Sequence, residues 1–138
     1  MKIFDNLRKF LVHGEGSVDE IEKVINYLKD INFGSKTFEG NWKDFITEKS
    51  VLIILLNSIS DSEVKRKSCL VAALSEEVLY NNQASPNYRA CNCLISAASL
   101  YALASEKQKS HQFFDKAREH QECTNPDYLT ELEKEVCL

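Results

Sequence analysis

SPNYRACNCLISAASLYALASEKQKSHQFFDKA, residues Ser85–Ala117, is the stretch whose reading decides the fold. It opens on Ser85-Pro86, a serine able to cap a helix and a proline suited to the first helical position. From Ala90 to Ser105 no charged residue occurs. Ser105-Glu106 then interrupts the run, and Lys107 to Ala117 sets Phe113, Phe114 and Ala117 among polar and charged neighbours. An uncharged segment, a corner and an amphipathic segment predict a buried helix over Asn87–Ala104 and an antiparallel return helix.

Working outward, Asn81-Asn82-Gln83-Ala84 reads as a turn. Before it, Ser60-Asp61-Ser62-Glu63 offers a capping box for a helix with Val64, Val71, Leu74 and Val78 on one side. Lys65, Arg66 and Lys67 fall in its first turn, where they oppose the helix dipole. The apolar run Val51–Leu56 has no periodicity that separates strand from buried helix; its leucines and its helical surroundings favour helix. Phe38, Trp42, Phe45 and Ile46 share a helical face interrupted by Gly40, so a loop and then a short helix from about Trp42 are expected, with Trp42 as a core anchor. Ser17-Val18-Asp19-Glu20 is a second capping box, ahead of Ile21, Val24, Ile25, Leu28 and Ile31, with Gly34 as a left-handed stop. Ile3, Leu7, Phe10 and Leu11 mark a short first helix. Downstream, Asn125-Pro126 starts a last helix whose apolar side is Tyr128, Leu129, Leu132 and Val136.

The expectation is one all-α domain over residues 1–138, of at most about eight helices stacked as antiparallel hairpins. Only four glycines and two prolines in 138 residues leave little material for the turns of a β-sandwich.

Within the central hairpin, Leu94, Ala97, Ala98 and Tyr101, then Ser110, Phe114 and Ala117, stand where a tetratricopeptide repeat carries its large, small and aromatic signature residues. Residues 91–122 thus resemble one such repeat. Leu94 replaces the usual tryptophan, Ser110 replaces an alanine, and Glu122 stands where a proline is expected. The resemblance implies a right-handed superhelix of hairpins, with an irregular helical bundle as the alternative. It also implies a concave partner-binding side made of Asn92, Ile95, Ser99, Ala102 and Leu103. Members that clamp a peptide carboxylate use lysine and asparagine there; Ile95 and Ser99 point instead to an apolar partner segment.

The function expected is a protein–protein interaction module, adaptor or chaperone-like, holding a partner segment in a helical groove. The alternative is a small acidic inhibitor of the immunity-protein or antitoxin kind. Its mark would be a patch joining Glu76 and Glu77 to the acidic end of the chain, where Glu122, Asp127, Glu131, Glu133 and Glu135 face Lys134 alone. A net charge of −4 argues against nucleic acid, although Lys65, Arg66, Lys67, Lys107, Lys109, Lys116 and Arg118 could form a basic stripe. Cys91, Cys93, His120 and Cys123 are zinc-ligand types, and His13, His111 and His120 are available to a cysteine nucleophile. Residues two apart on a helix diverge by about 200°, which separates Cys91 from Cys93. No phosphate-binding loop, cofactor signature or catalytic motif stands out, so neither an enzyme nor a cofactor is expected. Five cysteines and a start without an apolar core are read as reduced thiols in a cytoplasmic protein. No run is apolar enough for a membrane span.

Overall fold

Helix stops and starts along the chain are set by a few polar residues. Gly14 adopts φ 68°, letting its own N–H reach the Phe10 carbonyl and the Glu15 N–H reach that of Lys9. Asn41 accepts from the Lys43 and Asp44 N–H groups, and Asn125 from that of Tyr128 with Pro126 behind it. In the computed structural model, which describes residues 1–82 and 89–137, the elements so bounded are α1 (Lys2–His13), α2 (Asp19–Phe33), α3 (Trp42–Leu56), α4 (Ser62–Asn82), α5 (Ala90–Leu103), α6 (Lys107–Glu119) and α7 (Pro126–Val136). Among the described residues there is no strand: the protein is all-α. Among the described residues, no helix is long and apolar enough to cross a membrane.

Several local expectations are corrected. Val51–Leu56 is helical, but it is the second half of a single 15-residue α3 that begins at Trp42. Trp42 does not anchor the core. It is half-buried and covers Phe38 at 4.1 Å, while Phe45 takes the inner place, edge-on to Phe4 at 5.7 Å. Gly34 is extended (φ −109°), not left-handed; a Cβ there would come within 2.8 Å of the Asp30 carbonyl oxygen, which is why glycine fits. Neither capping box closes. Asp61, not Ser60, accepts from the Val64 N–H, and Glu20 pairs with Lys23 instead of returning to Ser17. Asn81 and Asn82 belong to the last turn of α4, where Asn82 donates to the Val78 carbonyl. The proposed start at Ser85-Pro86 and the first residues of the Asn87–Ala104 helix lie outside the described residues.

The hairpin of α5 and α6 is present as expected. Ala97 and Ala98 are fully buried, Ser110 Oγ donates to the Ala98 carbonyl at 2.7 Å, and Tyr101 and Phe114 fill the space around this crossing. Ser105 takes φ 63° at the corner, and the Glu106 N–H closes on the Tyr101 carbonyl.

The organising element is nevertheless α4, not the hairpin. Every residue from Ser68 to Leu79 is buried, so the middle of this 21-residue helix is covered on all sides, by α2 and α3 from the N-terminal half and α5 from the C-terminal half. The first helix rests mainly on α2; α6 lies on α5, and α7 on both. One continuous cluster of buried side chains runs from Phe4 to Leu129.

Candidate functional site

Burial of the middle of α4, Ser68 to Leu79, and of one face of α5 leaves the other face of α5 as a surface. Cys93, Leu94, Ala97, Ala98, Leu100 and Tyr101 point inward. Asn92 and Leu103 are exposed, and Ile95, Ser99 and Ala102 are half-buried. All five sequence-predicted residues therefore share the outward side of one helix. Leu103, a large apolar side chain, is left 60% exposed.

Of the five, Ile95 borders a concavity. Cys91, Ile95, Glu122, Cys123, Thr124, Asn125, Tyr128 and Leu129 line an open pocket of about 170 Å³ between α5 and the corner leading into α7. Its apolar wall is Ile95, Leu129 and the ring of Tyr128, which is 57% exposed; Glu122 is the one acidic group lining it. Sequence reasoning gave Tyr128 only to the core side of its helix. The spacing from Ile95 to Tyr128 crosses two helix boundaries, so no periodicity could pair them.

Cys91 and Cys123 close this pocket as a disulfide, with Cα atoms 5.3 Å apart. This overturns the reading of five reduced thiols. It also removes two of the four proposed zinc ligands, and Cys93 is buried, turned away from them into the core. His120 uses Nδ1 to accept from the Glu122 N–H, and among the described residues no group of three or more His, Cys, Asp or Glu could hold a metal ion.

The acidic patch is corrected as well. Glu76 and Glu77 are only 3% and 5% exposed. Glu76 pairs inward with Lys49 of α3 at 2.7 Å. On the adjacent face of α4, Glu77 accepts from the Tyr101 hydroxyl at 2.5 Å and pairs with Lys109 of α6 at 3.3 Å. The Lys109 ammonium in turn lies 4.7 Å from the Phe33 ring centre and 5.5 Å from that of Phe113. Burial, and then the hydrogen bond to Glu77, push the Tyr101 hydroxyl far above its ordinary range. These carboxylates are paired within the fold and offer nothing to a basic partner.

Much of the suggested basic stripe is used internally. Arg66 pairs with Glu63 and donates to the Ala104 carbonyl, Lys67 pairs with Glu22, and Arg118 pairs with Asp115 and Glu133. Glu133 itself faces inward, bonded to His111 at 2.6 Å and Arg118 at 2.8 Å. Burial raises its carboxyl, but those two partners outweigh burial and hold it below the ordinary carboxylate value. Glu122, Asp127, Glu131 and Glu135 remain exposed. Compared with family models, curated proteins and solved structures, the chain matches none.

Proposed function

We propose that the protein is a protein–protein interaction module that receives an amphipathic partner segment along the outward face of α5, with an apolar anchor seated between Ile95 and Tyr128. One observation carries the reading: the pocket beside α5 is walled by Ile95, Tyr128 and Leu129, while Leu103 extends the same helix face as uncovered apolar surface. Glu122 at the pocket and exposed Asp127 beside Tyr128 favour a partner whose anchor is flanked by lysine or arginine. Residues 91–122 act in this reading as one tetratricopeptide-like hairpin, supported by burial of its signature side chains from Leu94 to Ala117. The inhibitor alternative loses Glu76 and Glu77 to the interior.

The test is capture on immobilised protein beside the Ile95→Arg/Leu103→Arg variant, with circular dichroism on both. A partner held by the parent and lost from an equally helical variant supports the module. Equal capture by both, or none by either, overturns it. Our reading keeps the protein in the cytoplasm, where a disulfide is usually transient and serves catalysis or redox sensing.

A further inference from the structure

The Cys91–Cys123 bond joins the second residue of α5 to the corner between α6 and α7, and both cysteines line the pocket with Ile95 and Tyr128. We propose that this disulfide is a thiol-exchange switch that sets how firmly α7 closes the docking pocket. The inference rests on the functional reading above for what the pocket receives, and on geometry alone for the switch.

Two different chemistries hold α7. Its C-terminal half is anchored to α6 by Glu133, bonded to His111 and Arg118, and by Cys137 Sγ, which lies 3.1 Å from Ser110 Oγ. Leu129, in the first turn of α7 and on the pocket wall, supplies a buried apolar contact. The pocket end is different. Gln121, Glu122, Thr124, Asn125 and Asp127 are exposed, and the corner's hydrogen bonds are local: Glu122 N–H to His120 Nδ1, Cys123 N–H to the His120 carbonyl, Tyr128 N–H to Asn125 Oδ1. Across to α5 this end is tied by the apolar contact of Leu129 and, covalently, by the sulfur–sulfur bond of the corner. Opening that bond leaves α7 held by its far half and by Leu129, and loosens the corner carrying Glu122 that leads to Tyr128.

Both cysteines are half-buried beside an open pocket, within reach of a small thiol. The thiolate of a low-molecular-weight thiol attacks one sulfur, forming a mixed disulfide and releasing the other cysteine as thiolate, which takes up a proton. A second thiolate then attacks the sulfur of the first small thiol, forming their disulfide and releasing the remaining cysteine as thiolate, which also takes up a proton. The net exchange reduces Cys91–Cys123 to two thiols and oxidises two thiols of the reductant to one disulfide.

Amide hydrogen exchange read by mass spectrometry on the full chain tests this, before and after an excess of dithiothreitol, with Cys91→Ser/Cys123→Ser as the permanently open form. The expected result is exchange at least about tenfold faster over residues 121–128 in the reduced and variant forms, unchanged rates in α4, and reversal on reoxidation. Unchanged rates over 121–128 would overturn the switch. So would a linked Cys91–Cys123 peptide surviving the reductant, or acceleration of every helix together, which would make the bond a staple of the whole fold. The exchange measurement needs no partner. Failure of capture in both redox states therefore strikes the docking reading alone, and unchanged exchange strikes the switch alone.

Discussion

Ser105 holds the α5–α6 corner in a left-handed conformation that costs a residue with a Cβ roughly 1–2 kcal/mol. Ser105→Gly removes that cost at the expense of a more flexible unfolded chain, and is expected to stabilise by up to about 1 kcal/mol in urea unfolding. Ala98 sits at the crossing itself, with its carbonyl taken by Ser110. Ala98→Leu is expected to destabilise by about 1–3 kcal/mol through overpacking, read as a lower melting temperature. Tyr101→Phe keeps the shape and withdraws the hydroxyl from a buried carboxylate. A loss of about 1.5–3 kcal/mol in the same unfolding assay is expected, and no change would mean that Lys109 alone satisfies Glu77. The small and aromatic positions Ala97, Ala98 and Tyr101 of α5 and Phe114 of α6 were legible through the repeat that residues 91–122 resemble. The partnership of Glu77 with Tyr101 and Lys109 was not. Glu76-Glu77 looks like a solvated pair in sequence, and its partners arrive from other helices.

Helix positions were read well at Asn125-Pro126 and Ser105-Glu106, where polar residues mark an end. The centrality of α4 escaped because its other faces carry Ser68, Cys69, Ala72, Ala73 and Ser75, residues small enough to look neutral and small enough to let neighbouring helices close in. An apolar stripe of Val71, Leu74 and Val78 reads as one buried side; three packed neighbours bury all of them. The outward face of α5 was legible as a stripe, whereas the pocket beside it needed the α6–α7 corner, whose cysteine pairing no spacing rule gives. On α7, Leu129 alone is fully buried, with Leu132 and Val136 partly so. Removing residues 124–138 is expected to uncover the apolar surface of α5 and α6 that they cover and to promote aggregation, seen as early elution on size exclusion. A monomeric, equally stable truncation would show that α7 is dispensable to the core.

Across the whole molecule, the ionic links between α6 and α7 make stability depend on acidity. Glu133 binds its proton less readily in the folded protein than in the unfolded chain, because His111 and Arg118 outweigh its burial. That stabilisation is fully present above the ordinary carboxylate range and is lost as pH falls through the depressed folded value. The melting temperature is therefore expected to drop between about pH 5 and pH 3, and Glu133→Gln to be less stable at neutrality with a shallower drop, by calorimetry. An identical slope in the variant would assign the acid sensitivity to other carboxylates.

A helix that serves as the common wall of two neighbouring rooms cannot be handed on with only one of them. Residues 1–60 joined to a foreign chain would leave α2 and α3 facing nothing, and residues 89–137 would carry away α5 with its inner side bare. Recombination is thereby forbidden most of the cut points available to a modular repeat array, in which each unit brings its own neighbours. The two halves are expected to fold only together, with length changes best accepted where they leave that wall intact, such as the exposed His13–Ser17 connection.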